Sequence, residues 1–135
     1  MKFFQKASDG GKDSGVTGFF LVELKPLFSV VLLRFSNGTR EAFHSHAFNA
    51  VTFWLKGQVQ EERINNPDAP LGVSVKTFRA SLRPKFTPRD NCHRVRSAGT
   101  SYALSFRGPW AKTWTEYKNG KVVTLTHGRR VIREN

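Results

Sequence analysis

The chain has 135 residues, 39% of them hydrophobic, and 22 Lys and Arg against 10 Asp and Glu give a formal charge of +12. That length fills one packed domain and is short for two, and no apolar run approaches the roughly 20 residues that a membrane-spanning helix needs. A single cysteine, Cys92, excludes an intramolecular disulfide, so the sequence reads as a soluble, cytoplasmic protein from a reducing compartment.

Residues 1–17 are expected to be a flexible N-terminal segment ahead of a domain at 18–135, since Ala7 to Thr17 is rich in Gly, Ser and Asp. Aromatic and β-branched residues then mark strands over Phe19–Lys25 and Leu27–Phe35, parted by Pro26. Asn37-Gly38 favours a tight hairpin turn. Arg40–His46 and Asn49–Lys56 read as strands, the second ended by Gly57. The more polar Gln58–Ile64 belongs at a sheet edge or has one face in solvent, and Asn65 to Pro70 is the clearest internal loop. Val73–Phe78 and Ala80–Arg83 continue the sheet, and Pro84 and Pro88 bracket a connection. Cys92–Arg96, Ser101–Arg107 and Lys112–Tyr117 follow as short strands. Asn119-Gly120 makes a second hairpin turn into Lys121–Thr126, and Arg129–Arg133 closes the chain. Short strands joined by turns, with no convincing amphipathic helix among them, predict an all-β sandwich or jelly-roll barrel.

His44 and His46 stand one residue apart, so on a strand their imidazoles point to the same face and can converge on one metal ion. His93 is the candidate third ligand. The alternative is a pair satisfied by hydrogen bonds, with His93 far away.

These residues resemble the cupin superfamily. Its first motif is written G-x5-H-x-H-x3,4-E-x6-G, and Gly38, His44, His46 and Gly57 fall at its spacing. Ala50 or Val51 stands where the glutamate would be, so the carboxylate is missing. The second motif, G-x5-P-x-G-x2-H-x3-N, is matched at Pro88 and His93, with Leu82, Asp90 and Ser97 at its other positions. The resemblance implies a single cupin-type jelly-roll β-barrel whose interior holds His44, His46 and His93 around a divalent metal ion. Fe(II) leads, and Zn, Ni or Cu also suit three neutral imidazoles. Cupins similar to this three-histidine variant include thiol dioxygenases. The resemblance therefore implies a mononuclear metal dioxygenase acting on a small-molecule substrate, or a site without catalytic power. The chain is also similar to small cupin-like proteins of tailed bacteriophages, which would place it in a host cytoplasm. Many cupins form homodimers, and the apolar N-terminal strand is a candidate surface for such pairing.

If His44 and His46 face inward, strand parity places Phe48, Ala50, Thr52 and Trp54 on the same face, giving an apolar wall with one hydroxyl. Along Ser101–Arg107, an inward Arg107 would bind a carboxylate or phosphate bidentately, whereas an outward one would only meet solvent. Thr52 and Arg107 are thus the candidate catalytic or substrate-orienting residues. Cys92 should point away from His93 and reads as a buried, inert thiol. Asp90 could pair with His93 as an acid–base dyad if the loop bends. His127 lacks a partner in the motif and reads as a surface residue.

The positive charge is uneven: residues 1–82 carry 10 basic and 7 acidic side chains, and residues 83–135 carry 12 and 3. Trp110, Trp114 and Tyr117 lie among these cations, a combination that could stack on single-stranded nucleic acid. The contrasting function is therefore a non-catalytic binding or phage accessory protein whose basic surface engages nucleic acid or an acidic partner. Core or edge packing of the three aromatics is the competing reading.

Overall fold

A computed structural model describes the chain apart from residues 1, 10–13, 37, 40–42, 65–72, 90, 119–120, 127–129 and 135. The described residues form strands and no helix. In order these are β1 Lys2–Ser8, β2 Val16–Leu24, β3 Phe28–Phe35, β4 Gly38–Thr39, β5 Phe43–His44, β6 Ala50–Lys56 and β7 Gln58–Ile64. They continue as β8 Val73–Arg79, β9 Lys85–Thr87, β10 His93–Ser97, β11 Ser101–Arg107, β12 Thr113–Lys118, β13 Lys121–Thr126 and β14 Arg130–Glu134. One sheet runs β1-β2-β3-β11-β6-β9, the other β14-β13-β12-β5-β10-β7-β8, with β4 also paired to β10. All pairings are antiparallel. The two sheets pack face to face as a jelly-roll sandwich, and the barrel expected from the sequence is not closed.

Alternation along the strands explains the interior. On β3, Ser29, Val31, Leu33 and Phe35 are buried, and on β11 Ser101, Ala103, Ser105 and Arg107 are. Register aligns these into rows across the first sheet: Leu33 with Ala103 and Trp54, then Val31 with Ser105, Thr52 and Lys85, then Ser29 with Arg107, Ala50 and Thr87. The interior thus passes from apolar to polar along the strand direction. The apolar end holds a core of Val16, Phe20, Val31, Leu33, Phe35, Trp54, Val59 and Ala103. Burying each larger side chain there stabilises the fold by about 1.5–3 kcal/mol. The second sheet has the same gradient, from Val59 opposite Ser97 to His44 opposite His93. Two polar halves therefore face each other, and the site forms between them.

Several elements differ from the sequence reading. Within the segment expected to be flexible, Lys2–Ser8 pairs with β2 as strand β1. The chain does not fold back on β3 at Asn37-Gly38, because Gly38–Thr39 pairs with β10 in the opposite sheet. Asn37 itself lies outside the described residues, as do Asn65 to Pro70 and Asn119-Gly120, although Lys118 and Lys121 pair as the ends of a hairpin would. Gln58–Ile64 is not an edge strand: β7 lies between β10 and β8, with Gln60 exposed and Glu61 buried. Ala80–Arg83 is exposed and bent and forms no strand, its Ser81 N–H donating to the Trp54 carbonyl on β6 at 2.9 Å, whereas Lys85–Thr87 between the two prolines pairs with β6.

Candidate metal centre

β5 and β10 are antiparallel neighbours, and His44 lies directly opposite His93. Partners across such a pair share a face of the sheet, so both imidazoles enter the space between the sheets. His46 follows β5, where its backbone N–H donates to the Arg89 carbonyl at 3.0 Å. The three ring centroids stand 4.8, 5.0 and 4.9 Å apart, close to an equilateral triangle. One nitrogen from each lies within 4.8 Å of the other two.

The tautomer of His93 follows from its second nitrogen. Glu61 Oε2 lies 2.6 Å from His93 Nδ1, so the Nδ1–H donates to the carboxylate and Nε2 turns its lone pair to the cavity. There it meets His46 Nε2 at 2.7 Å. Nitrogens bound side by side on one ion at about 2.1 Å stand roughly 3.0–3.4 Å apart. A shift of a few tenths of an ångström would bring these two into that range. Three mostly buried imidazoles, one oriented by a carboxylate, fit a divalent metal by both donor chemistry and spacing.

Glu61 is only 4% exposed and also accepts from Lys85 Nζ at 2.5 Å and Arg63 Nη2 at 3.3 Å. Burial alone would raise its carboxyl, but the hydrogen bonds and charges of His93 and Lys85 outweigh this and hold it at about 2. Burial pushes the Lys85 ammonium down, and Glu61 opposes that shift. Lys85 Nζ also donates to Thr87 Oγ1 at 2.9 Å. Sequence reasoning missed Glu61. Its signal was parity: Val59 and Glu61 share the buried face of β7.

The cavity beside the histidines has a volume of about 80 Å³. Phe48, Ala50, Thr52 and Trp54 all line it, as parity required. Arg107 takes the inward alternative: it is 5% exposed, lines the cavity, and its Nη1 and Nη2 donate to Asp9 at 3.3 and 2.7 Å. Cys92 is buried outside the lining, and burial raises its thiol to about 11. Asp90 and His127 lie outside the described residues. Trp110 packs against Phe48 at 5.4 Å and Trp114 at 5.7 Å, with Lys25 Nζ 4.6 Å from its ring. Both tryptophans are half-buried and pack against the cluster of Ala47, Phe48 and Ala50.

No protein-family model and no curated protein sequence matches this chain. Solved structures do. The chain is similar to the cupin domain of Cnp3 from Schizosaccharomyces pombe, with a TM-score of 0.56 and 11% identity over 72% of this chain and 66% of that one. It is similar to Fe(II) HppE, with a TM-score of 0.61 and 12% identity over 76% of this chain. It spans 55% of the HppE chain, so it matches only part of the length of these two structures. An RmlC-like cupin from Shewanella frigidimarina gives a TM-score of 0.56 and 15% identity over 78% of this chain and 84% of that one. Two antiparallel sheets packed face to face, in an architecture shared with these structures, give the chain the cupin fold, and the three histidines come from one of those sheets and the segment that follows β5.

Proposed function

We propose that this protein binds one divalent metal ion through His44, His46 and His93 and acts as a mononuclear three-histidine dioxygenase on a small molecule in the adjoining cavity. The observation that carries this reading is the convergence of three imidazoles whose ligand atoms lie within 4.8 Å of one another. Three neutral nitrogen donors suit Fe(II), Zn, Ni and Cu without choosing among them, and the Fe(II) named for one structural neighbour supports placing iron first. Bound there, iron would activate oxygen and anchor the substrate. The chain's own residues set the surroundings. Glu61 holds the Nδ1 proton of His93, and Lys85 holds Glu61 in place. Thr52 offers a hydroxyl for a polar substrate group, while Phe48 and Trp54 exclude water. Arg107 orients a group that accepts hydrogen bonds.

Elemental analysis of the untagged protein tests the metal reading. One equivalent of metal is expected in the wild type and none in His44→Ala or His93→Ala. A protein that carries no metal and also refuses added Fe(II), Ni(II) and Zn(II) would sink it. Protons compete with metal for imidazole nitrogens, which titrate near about 6.5 when unperturbed. Occupancy should therefore fall as the pH drops through and below that value.

A further inference from the structure

We infer that the cavity takes a small carboxylate ligand on Arg107, and that Asp9 is an internal competitor which this ligand displaces. The inference rests on the proposed metal pocket and names its ligand class.

Arg107 is a buried cation in the same cavity as the three histidines. Its guanidinium lies over the Phe48 ring at 4.6 Å, and His46 and Trp110 also neighbour that ring, at 5.2 and 5.4 Å. Phe48 therefore contacts both the guanidinium and the metal-capable cluster. Asp9 engages the Nη1 and Nη2 end of the fork, whereas the buried Nε has no acceptor among the described residues. A buried donor without an acceptor is costly, and a carboxylate that took Nε together with the Nη2 now held by Asp9 would satisfy it. Asp9 is the more exposed partner: its side chain is 27% exposed against 4% for that of Arg107, so water reaches the carboxylate more readily than the guanidinium.

Charge points to the same ligand. Among the residues lining the cavity, Lys85 and Arg107 offset Glu61 and Asp9. Three neutral imidazoles leave both charges of a divalent ion uncompensated, which favours an anionic ligand. Two carboxylates on one guanidinium repel each other, so the ligand replaces Asp9 instead of joining it. Size sets a limit: about 80 Å³ is room for several waters or a ligand of a few heavy atoms. A second recess beside Glu61 and Lys85, lined also by Arg63 and Lys76, gives anions a basic approach.

Pyruvate and its neutral isostere pyruvamide serve as probes. Each is titrated at constant ionic strength into the full ¹⁵N-labelled chain, with and without Zn(II), following the Nε–H resonance of Arg107. Pyruvate should shift that resonance saturably, and pyruvamide should not. Asp9→Asn should tighten pyruvate binding about tenfold by removing the competing charge, and Arg107→Lys should abolish it. An unchanged or weaker affinity in Asp9→Asn, an equal response to both probes, or undiminished binding by Arg107→Lys would overturn the proposal. If Asp9→Asn loses its cooperative melt, Asp9→Ser takes its place. Saturable pyruvate binding by a chain that takes up no metal would sink the metal reading and uphold this one. Metal uptake without a pyruvate response would sink this one alone.

Discussion

Which nitrogen of His93 faces the cavity is decided by a carboxylate 32 residues away in sequence. Glu61 also neutralises Lys85, so its removal acts on both metal affinity and folding. Glu61→Gln keeps an acceptor for the Nδ1–H and is expected to lower Zn(II) affinity about tenfold, measured by competition with a chelating dye. Glu61→Ala removes the acceptor as well and is expected to lower it about 100-fold. The alanine variant also leaves the buried Lys85 without its carboxylate, which should cost about 3 kcal/mol in urea unfolding. Cys92 gives a second test at this scale. Burial raises its thiol from 9.0 to about 11, so iodoacetamide at pH 8 should alkylate it about 100-fold more slowly than an unperturbed thiol, followed by mass spectrometry. Because the folded chain holds that proton more tightly than the unfolded chain, the associated stability is present below 9.0. It is lost as the pH rises toward about 11. The His44 and His46 pair was readable from spacing and His93 from the motif resemblance, whereas parity left Arg107 open between an inward and an outward position and the structure turned it inward. Glu61 and Asp9 were not, because a charged side chain on a strand gives no local sign that it meets a buried partner.

Strands β6 and β7 are separated by Gly57 alone yet belong to different sheets. That residue takes φ +85°, and a Cβ there would lie 2.3 Å from Ser101 Oγ and 2.9 Å from its Cα. The corner therefore demands glycine for both conformation and space. Gly57→Ala is expected to destabilise the fold by at least about 2 kcal/mol, read as a lower urea midpoint at unchanged m value. The sequence marked this residue as a strand end, and its position in the motif fitted. What it could not indicate is that the chain changes sheet there. A bulge between Phe20 and Val22 shows the same limit, shifting the register of β2 against β3. Simple alternation held where pairing is regular, as in β11 against β3, and failed where a bulge or corner intervenes.

For the whole molecule, a charge of +12 would attract anions, and Trp110 and Trp114, two of the aromatic side chains that could stack on bases, pack against each other. Any association with nucleic acid should then be electrostatic. Single- and double-stranded DNA are expected to bind without sequence preference at low salt and to dissociate as salt rises, followed by fluorescence anisotropy. Binding that resists salt and favours single strands would show that the tryptophans leave their packed positions. At this scale the polar end of the sandwich matters most, since both sheets turn their hydrophilic rows toward the same space.

The sequence by itself determined the all-β character, the positions of most strands and the shared face of His44, His46 and Thr52, while the inward turn of Arg107 was left to the structure. Those features follow from residue type and a period of two, which are local. The tertiary structure alone decided that the sheets form an open sandwich, that Glu61 orients His93, and that Asp9 reaches Arg107 across 98 positions of the chain. A strand's pattern specifies which side it buries but not which strand it joins. Partners far apart in sequence are chosen only when the two sheets close over a common core.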